Sequence, residues 1–281
     1  MFTRILLSVL LISITSCNEK KEVTPIVVST NTNISCLVKS YSYYENAGKT
    51  GAEGKYFLGY NNDGKVISIS IPSSVSKDTT KYTYQESKAN LGSDSKPYII
   101  EFTDGALSSK YFCDNNGRVN KVDYYDSSND KYPSSIDFPE YDSNGNNIKT
   151  TSKYYNKITG DLSKDYQIYE AEYLDGNLRR EYETYQFSNI QVKRHLSVEY
   201  TASLKPNKSK IMYLYNYGNN SFGNGDKYYP DKKLKYDNNG LLKTQGTFVY
   251  KFDNKDYLLS RDIKFPDGTS ESYFDYSYQC K

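Results

Sequence analysis

The chain has 281 residues with 36 basic and 34 acidic side chains, a formal charge of +2, so neither nucleic acid nor an anionic surface has an electrostatic reason to hold it. Only 37% of its residues are hydrophobic, yet it carries 32 Tyr and 11 Phe with no Trp, so tyrosine must do packing that Leu and Val usually do. One histidine and four cysteines exclude His-rich or Cys-cluster metal centres, and nothing in the pattern calls for a cofactor.

Taken in chain order, Met1-Phe2-Thr3-Arg4 is a short basic start and residues 5–14 are mostly apolar, too few to span a bilayer as a helix. With Ile14-Thr15-Ser16-Cys17 closing the run, residues 1–16 read as a secretory signal. Those four residues resemble the lipobox of bacterial lipoproteins: an aliphatic residue, two small ones, then Cys. The resemblance implies that Cys17 is lipidated and becomes the first residue after cleavage. Losing Arg4 with the leader leaves 35 basic against 34 acidic side chains. Residues 17–35 then form a polar tether, about 23 Å end to end as a coil and near 60 Å at full stretch. Asn18-Glu19-Lys20-Lys21-Glu22 resembles the charged export signals of some Gram-negative surface lipoproteins, and reads equally well as a solvated spacer.

From Cys36 to Lys281 one phrase recurs. Tyr60-Asn61-Asn62-Asp63-Gly64, Tyr141-Asp142-Ser143-Asn144-Gly145 and Tyr236-Asp237-Asn238-Asn239-Gly240 match one another, each followed within two or three residues by an aliphatic. Cys113-Asp114-Asn115-Asn116-Gly117 is the same phrase with Cys in the aromatic slot, and Tyr173-Leu174-Asp175-Gly176 is a shorter version. Asp or Asn bonds the local backbone, Gly takes positive φ, and the flanking aromatic and aliphatic residues can meet across two strands. The turn glycines Gly64, Gly117, Gly145 and Gly240 are therefore structural. Alternating segments such as residues 66–71, 121–125 and 248–252 lie between turns, and helical periodicity is scarce. The expected fold is all-β: a single antiparallel up-and-down meander over residues 36–281 that closes as a β-barrel, with an open twisted sheet as the alternative. In the barrel, Cys36 and Cys280 occupy neighbouring first and last strands and pair in an oxidising compartment. Cys113 points inward like Tyr60, Tyr141 and Tyr236 and stays a thiol. Segments such as residues 148–154 show no lipid-compatible face, which argues against a barrel that crosses the membrane.

The Tyr-Asp-x-x-Gly phrase resembles the YD repeats of Rhs-type proteins. Together the lipobox, the Cys36-Leu37-Val38-Lys39 start, the Tyr-rich turns and the Tyr276-Ser277-Tyr278-Gln279-Cys280 end resemble a family of Gram-negative lipoproteins of unknown function with a porin-like fold. That resemblance implies a fold and an outer-membrane location, periplasmic or surface-exposed, and no activity.

Candidate chemistry is sparse. His195 lies in an alternating segment with no nucleophile signature beside it. Asp142-Ser143-Asn144-Gly145 supplies hard oxygens but does not fit a twelve-residue calcium loop, and turn chemistry explains it. Residues 218–225 imitate a phosphate loop without its Lys-Ser/Thr. Asp78-Thr79-Thr80 resembles a bacterial O-glycosylation acceptor. Glu170/Glu172 and Glu181/Glu183 are acid pairs that alternation alone produces, expected on a solvated strand face. Two readings follow. The first is a lipid-anchored, non-enzymatic binding or structural protein of the envelope that meets the membrane through its lipid alone and takes a glycan or a partner protein. The alternative is a carbohydrate-active hydrolase with paired carboxylates.

Overall fold

A computed structural model describes residues 36–44, 54–60, 62, 66–72, 77–85, 96, 98–115, 118–206 and 228–280. Cys17, Gly64, Gly117, residues 218–225 and the tether fall outside this set. Sixteen strands run in chain order. The first eight are β1 (Cys36–Tyr44), β2 (Gly54–Tyr60), β3 (Val66–Pro72), β4 (Lys77–Tyr84), β5 (Ile99–Thr103), β6 (Ala106–Cys113), β7 (Val119–Tyr124) and β8 (Ser135–Tyr141). The second eight are β9 (Asn147–Tyr155), β10 (Leu162–Leu174), β11 (Asn177–Phe187), β12 (Ile190–Pro206), β13 (Tyr228–Tyr236), β14 (Leu242–Phe252), β15 (Leu258–Lys264) and β16 (Ser270–Cys280). Each strand pairs antiparallel with its chain neighbours, and β1 pairs with β16, closing the barrel. The open twisted sheet is thereby excluded.

Alternation along each strand sorts the side chains into two walls. On β14, Gly246, Phe248, Tyr250 and Phe252 point inward, while Gln245, Thr247, Val249 and Lys251 point outward. Inward rings pack side by side along the wall. Tyr41 stacks on Tyr56 with centroids 4.5 Å apart, Phe248 on Tyr250 at 5.8 Å, and Phe274 on Tyr276 at 6.2 Å. Cys113 is buried inward with Val119, Val122, Tyr98 and Tyr111, as the repeat predicts. Tyr236 departs from that expectation. It shares the outer face of β13 with Leu234, which pairs with Glu199, and its hydroxyl donates to Glu199 Oε2 at 3.1 Å.

The turns use the chemistry that the repeat predicts. Asp142 Oδ1 accepts the N–H groups of Asn144 and Asn146, and Asp237 Oδ1 those of Asn239 and Leu241. Gly145 and Gly240 hold φ of 81° and 78°. The loop after β14 has the same geometry, with Asp253 Oδ1 accepting from Lys255 and Tyr257, but Asp256 takes the positive-φ place at 65°. No atom lies within 4 Å of where a Cβ on Gly240 would stand, so only backbone strain opposes a side chain there. Gly240→Ala and Gly145→Ala should each lower stability by about 1 kcal/mol in urea melts. Neutral melts for both would show that the turns tolerate an L side chain.

Closure sets Cys36 directly opposite Cys280 in the β1–β16 register. Opposed residues of an antiparallel pair stand about 4.5–5.5 Å apart at Cα, inside the span a disulfide needs. Their side chains lie outside the described set. Non-reducing peptide mapping of the exported protein should recover a Cys36–Cys280 bridge, closing a loop of about 245 residues. A bridge through Cys113 would contradict the pairing.

Candidate functional site

The outer wall from β8 to β13 carries a ladder of alternating charge. Lys149 Nζ meets Glu140 at 2.8 Å, Arg194 Nε meets Glu170 at 2.7 Å, and Arg180 Nε meets Glu199 at 3.0 Å. Glu172 lies between the two arginines at 3.8 and 4.0 Å. Outward aromatic rings are covered by cations. Lys121 sits 3.7 Å over Phe112, Arg194 3.7 Å over Tyr182, Lys55 5.3 Å over Phe57 and Lys153 5.4 Å over Phe138.

The inner wall is tyrosine interleaved with carboxylates. Tyr111 OH donates to Glu101, and burial with that neighbouring carboxylate raises the phenol far above its usual range. Burial raises the Asp137 carboxyl, opposed by hydrogen bonds from Ser152 and Tyr124. Burial likewise raises Glu181, opposed by Tyr169, the Lys233 ammonium and Tyr200. The Cys113 thiol is pushed up to about 12 by burial and by Asp114, which leaves it unreactive at neutral pH.

The structure separates the two acid pairs. Glu170 and Glu172 stand on the solvated outer wall, as expected, neutralised by arginines. Glu181 instead faces inward and is 8% exposed, with Glu183 two residues on along the same face. The register shift between Glu172 and Tyr173 in β10–β11, with Arg179 as the extra residue on β11, sets that parity by placing Glu181 opposite Ala171. Glu183 lies opposite His195 in the register, and His195 packs edge-on against Tyr185 at 6.5 Å. Glu181 is held by two tyrosine hydroxyls and an ammonium, which makes it a partnered core group. Thr79 lies in β4, where its N–H donates to Asp104 Oδ1 at 2.8 Å. Among the described residues no group of three or more His, Cys, Asp or Glu is placed to hold a metal ion.

The two ends of the barrel differ. In an up-and-down barrel, the chain enters β1 and leaves β16 at one end, with the turns after β2, β6, β8 and β10. At the far end, three consecutive hairpin tips carry exposed aliphatic side chains: Ile158 (77% exposed) and Leu162 (59%) between β9 and β10, Ile190 (63%) at β11–β12, and Leu241 (63%) with Leu242 (50%) at β13–β14. In the sequence these residues lie in separate polar turns that no local pattern joins. The signal was present in the repeat: Leu241 stands where the sibling phrases have Lys65, Arg118 and Asn146.

No family model and no curated protein matches the sequence. Solved structures do. A porin-like protein from Bacteroides uniformis superposes with TM-score 0.56 at 11% identity, covering 86% of this chain and 98% of that one. A porin-like protein from Bacteroides vulgatus gives 0.57 at 13%, with the same coverage. Such likeness establishes the shared barrel fold.

The raised inner carboxyls have a consequence for stability. A carboxyl that is raised on folding holds its proton more tightly in the folded chain, so its contribution to stability falls as pH climbs from about 4 through the raised value. Asp137→Asn removes that loss. In urea melts the variant should gain relative to the parent between pH 4.5 and pH 7. An unchanged difference across that range would mean that Asp137 is ionised without penalty.

Proposed function

We propose that the chain is a lipid-anchored, non-enzymatic protein of the Gram-negative outer membrane, its barrel standing in water as a binding or structural unit. The observation that carries this reading is the outer wall. Arg180, Arg194, Lys149, Lys153, Glu170 and Glu172 would face hydrocarbon if the strands crossed a bilayer, at about 2–4 kcal/mol for each basic residue near the midplane. Membrane barrels turn apolar side chains out and polar ones in. Here aromatic rings fill the inner wall and ion pairs the outer.

A barrel of this kind reaches a membrane through its leader, and the Ile14-Thr15-Ser16-Cys17 lipobox supplies the means. The porin-like neighbours support an envelope location. A glycan or a partner protein remains the ligand class that the first reading gives. The inward rings spend their faces on one another, so sugar stacking on them has little free ring to use. In this reading a ligand would meet the rims and loops.

Cys17→Ser should abolish incorporation of labelled palmitate and leave the precursor uncleaved. Undiminished labelling in the variant would remove the anchor from this account.

A further inference from the structure

We infer that the aliphatic crest on the far rim is a second membrane contact: Ile158, Leu162, Ile190, Leu241 and Leu242 enter the interface of a lipid bilayer. The inference goes beyond the lipid anchor. It concerns the end of the barrel from which the tether does not leave.

Position comes first. The three tips are consecutive at this end and stand about 10 Å apart, two strand spacings each. They are tied to one another: Ser188 N–H donates to Asp165 Oδ1 at 2.7 Å, and Asn238 Nδ2 donates to Tyr185 OH at 3.2 Å. Beneath them, Phe187 packs against Tyr154 at 5.2 Å and Tyr185 at 5.8 Å. The crest is therefore a fixed row. Other tips at the same end, Asp104-Gly105 and Asp267-Gly268, are polar, and at the opposite end Leu174 is an exposed aliphatic standing alone in its turn.

Next, the tips suit lipid. Backbone groups entering an apolar interface need internal partners. Asn156 Oδ1 accepts from Ile158 and Thr159, Asp237 Oδ1 from Asn239 and Leu241, and Gly160 N–H donates to Asn156 O. Several of the nearby charges are paired or bonded within the protein, while Lys164 stands exposed two residues from Leu162. Lys157 meets Asp126 at 3.2 Å, Lys243 meets Asp237 at 3.3 Å, and Asp161 accepts from Thr159 Oγ1 at 2.7 Å. Lys157, Lys164 and Lys243 stand among Asp126, Asp161, Asp165 and Asp237, so charge of mixed sign surrounds the crest and neither an acidic nor a basic partner is favoured. The rim presents separate projecting side chains rather than a groove, and a fluid interface accepts fingers that a rigid protein surface would have to match one by one.

Energetics decide what the contact can do. A handful of partly buried aliphatic side chains gives weak, reversible attachment alone, and stable attachment takes two signals. The lipid on Cys17 would be the first and the crest the second. The tether reaches near 60 Å when extended, enough to let the barrel lie crest-down on its own membrane or stand toward another.

Because the natural chain has no tryptophan, single reporters have no background. The test uses the full mature chain with Cys17→Ser, so that no acyl chain contributes, and neutral phosphatidylcholine vesicles. Emission of Leu241→Trp and Ile190→Trp should shift to shorter wavelength and be quenched by brominated lipid, with no change between low and high salt, while Leu174→Trp should not respond. Replacing Ile158, Ile190 and Leu241 together by Ser should weaken vesicle co-flotation by roughly tenfold or more. Reporters on the crest that stay unshifted overturn the inference, as does an equal response from Leu174→Trp. A crest that ignores vesicles but crosslinks to an envelope protein overturns it in favour of a protein partner. None of these outcomes bears on palmitate labelling of Cys17, so the anchor and the crest fail separately.

Discussion

Pairing of β1 with β16 is the constraint on which the rest of the molecule depends. Fifteen hairpin connections make a long antiparallel sheet, and without closure its two edges would each expose a row of unpaired N–H and C=O groups. Joining Cys36–Tyr44 to Ser270–Cys280 removes both edges at once. The seam is well made: Tyr41 lies opposite both Tyr56 and Tyr276, and Ser40 and Ser277 share a 2.7 Å hydrogen bond across it. Closure also fixes which face is inside, and so determines the chemistry of both walls.

Sixteen strands make a wall about 100 Å around, twice the number that side chains fill from strand to strand in a small barrel. Tyrosine answers that demand. Its ring covers its neighbour along the wall, and its hydroxyl finds a carboxylate or a carbonyl, as Tyr111 does with Glu101 and Tyr278 with the Leu258 carbonyl at 2.6 Å. A chain with 32 Tyr and a low apolar fraction can therefore line a large closed sheet without a conventional aliphatic core. Outside, cations lie over several aromatic rings and ion pairs run from β8 to β12. The resulting barrel shares its fold with porin-like proteins and carries charged pairs on its outer wall.

Much of this was legible in the chain. Turn phrases with Asp and Gly announce hairpins because their conformations are locally determined, and alternation between them announces strands. The β-barrel follows from the need to hide edges. Facing direction was harder to read. Glu170/Glu172 and Glu181/Glu183 have the same spacing, yet one pair faces water and the other the inner wall. Parity is reset by the register shift at Glu172/Tyr173, which no local pattern marks. Tyr236 faces out although its siblings Tyr60, Cys113 and Tyr141 carry the same shift beside their turns. The crest was missed for another reason: Ile158, Ile190 and Leu241 are far apart in sequence, and only the order of hairpins along the rim makes them neighbours.

Hydrogen–deuterium exchange on the intact protein tests closure of the barrel most directly. Peptides covering β1 and β16 should exchange as slowly as those from β10 and β11, because apart from the irregularity at Lys39 the two strands pair residue for residue across the seam. Exchange within seconds at the seam-facing amides of both strands, with β10 and β11 protected, would show an open sheet and contradict the account.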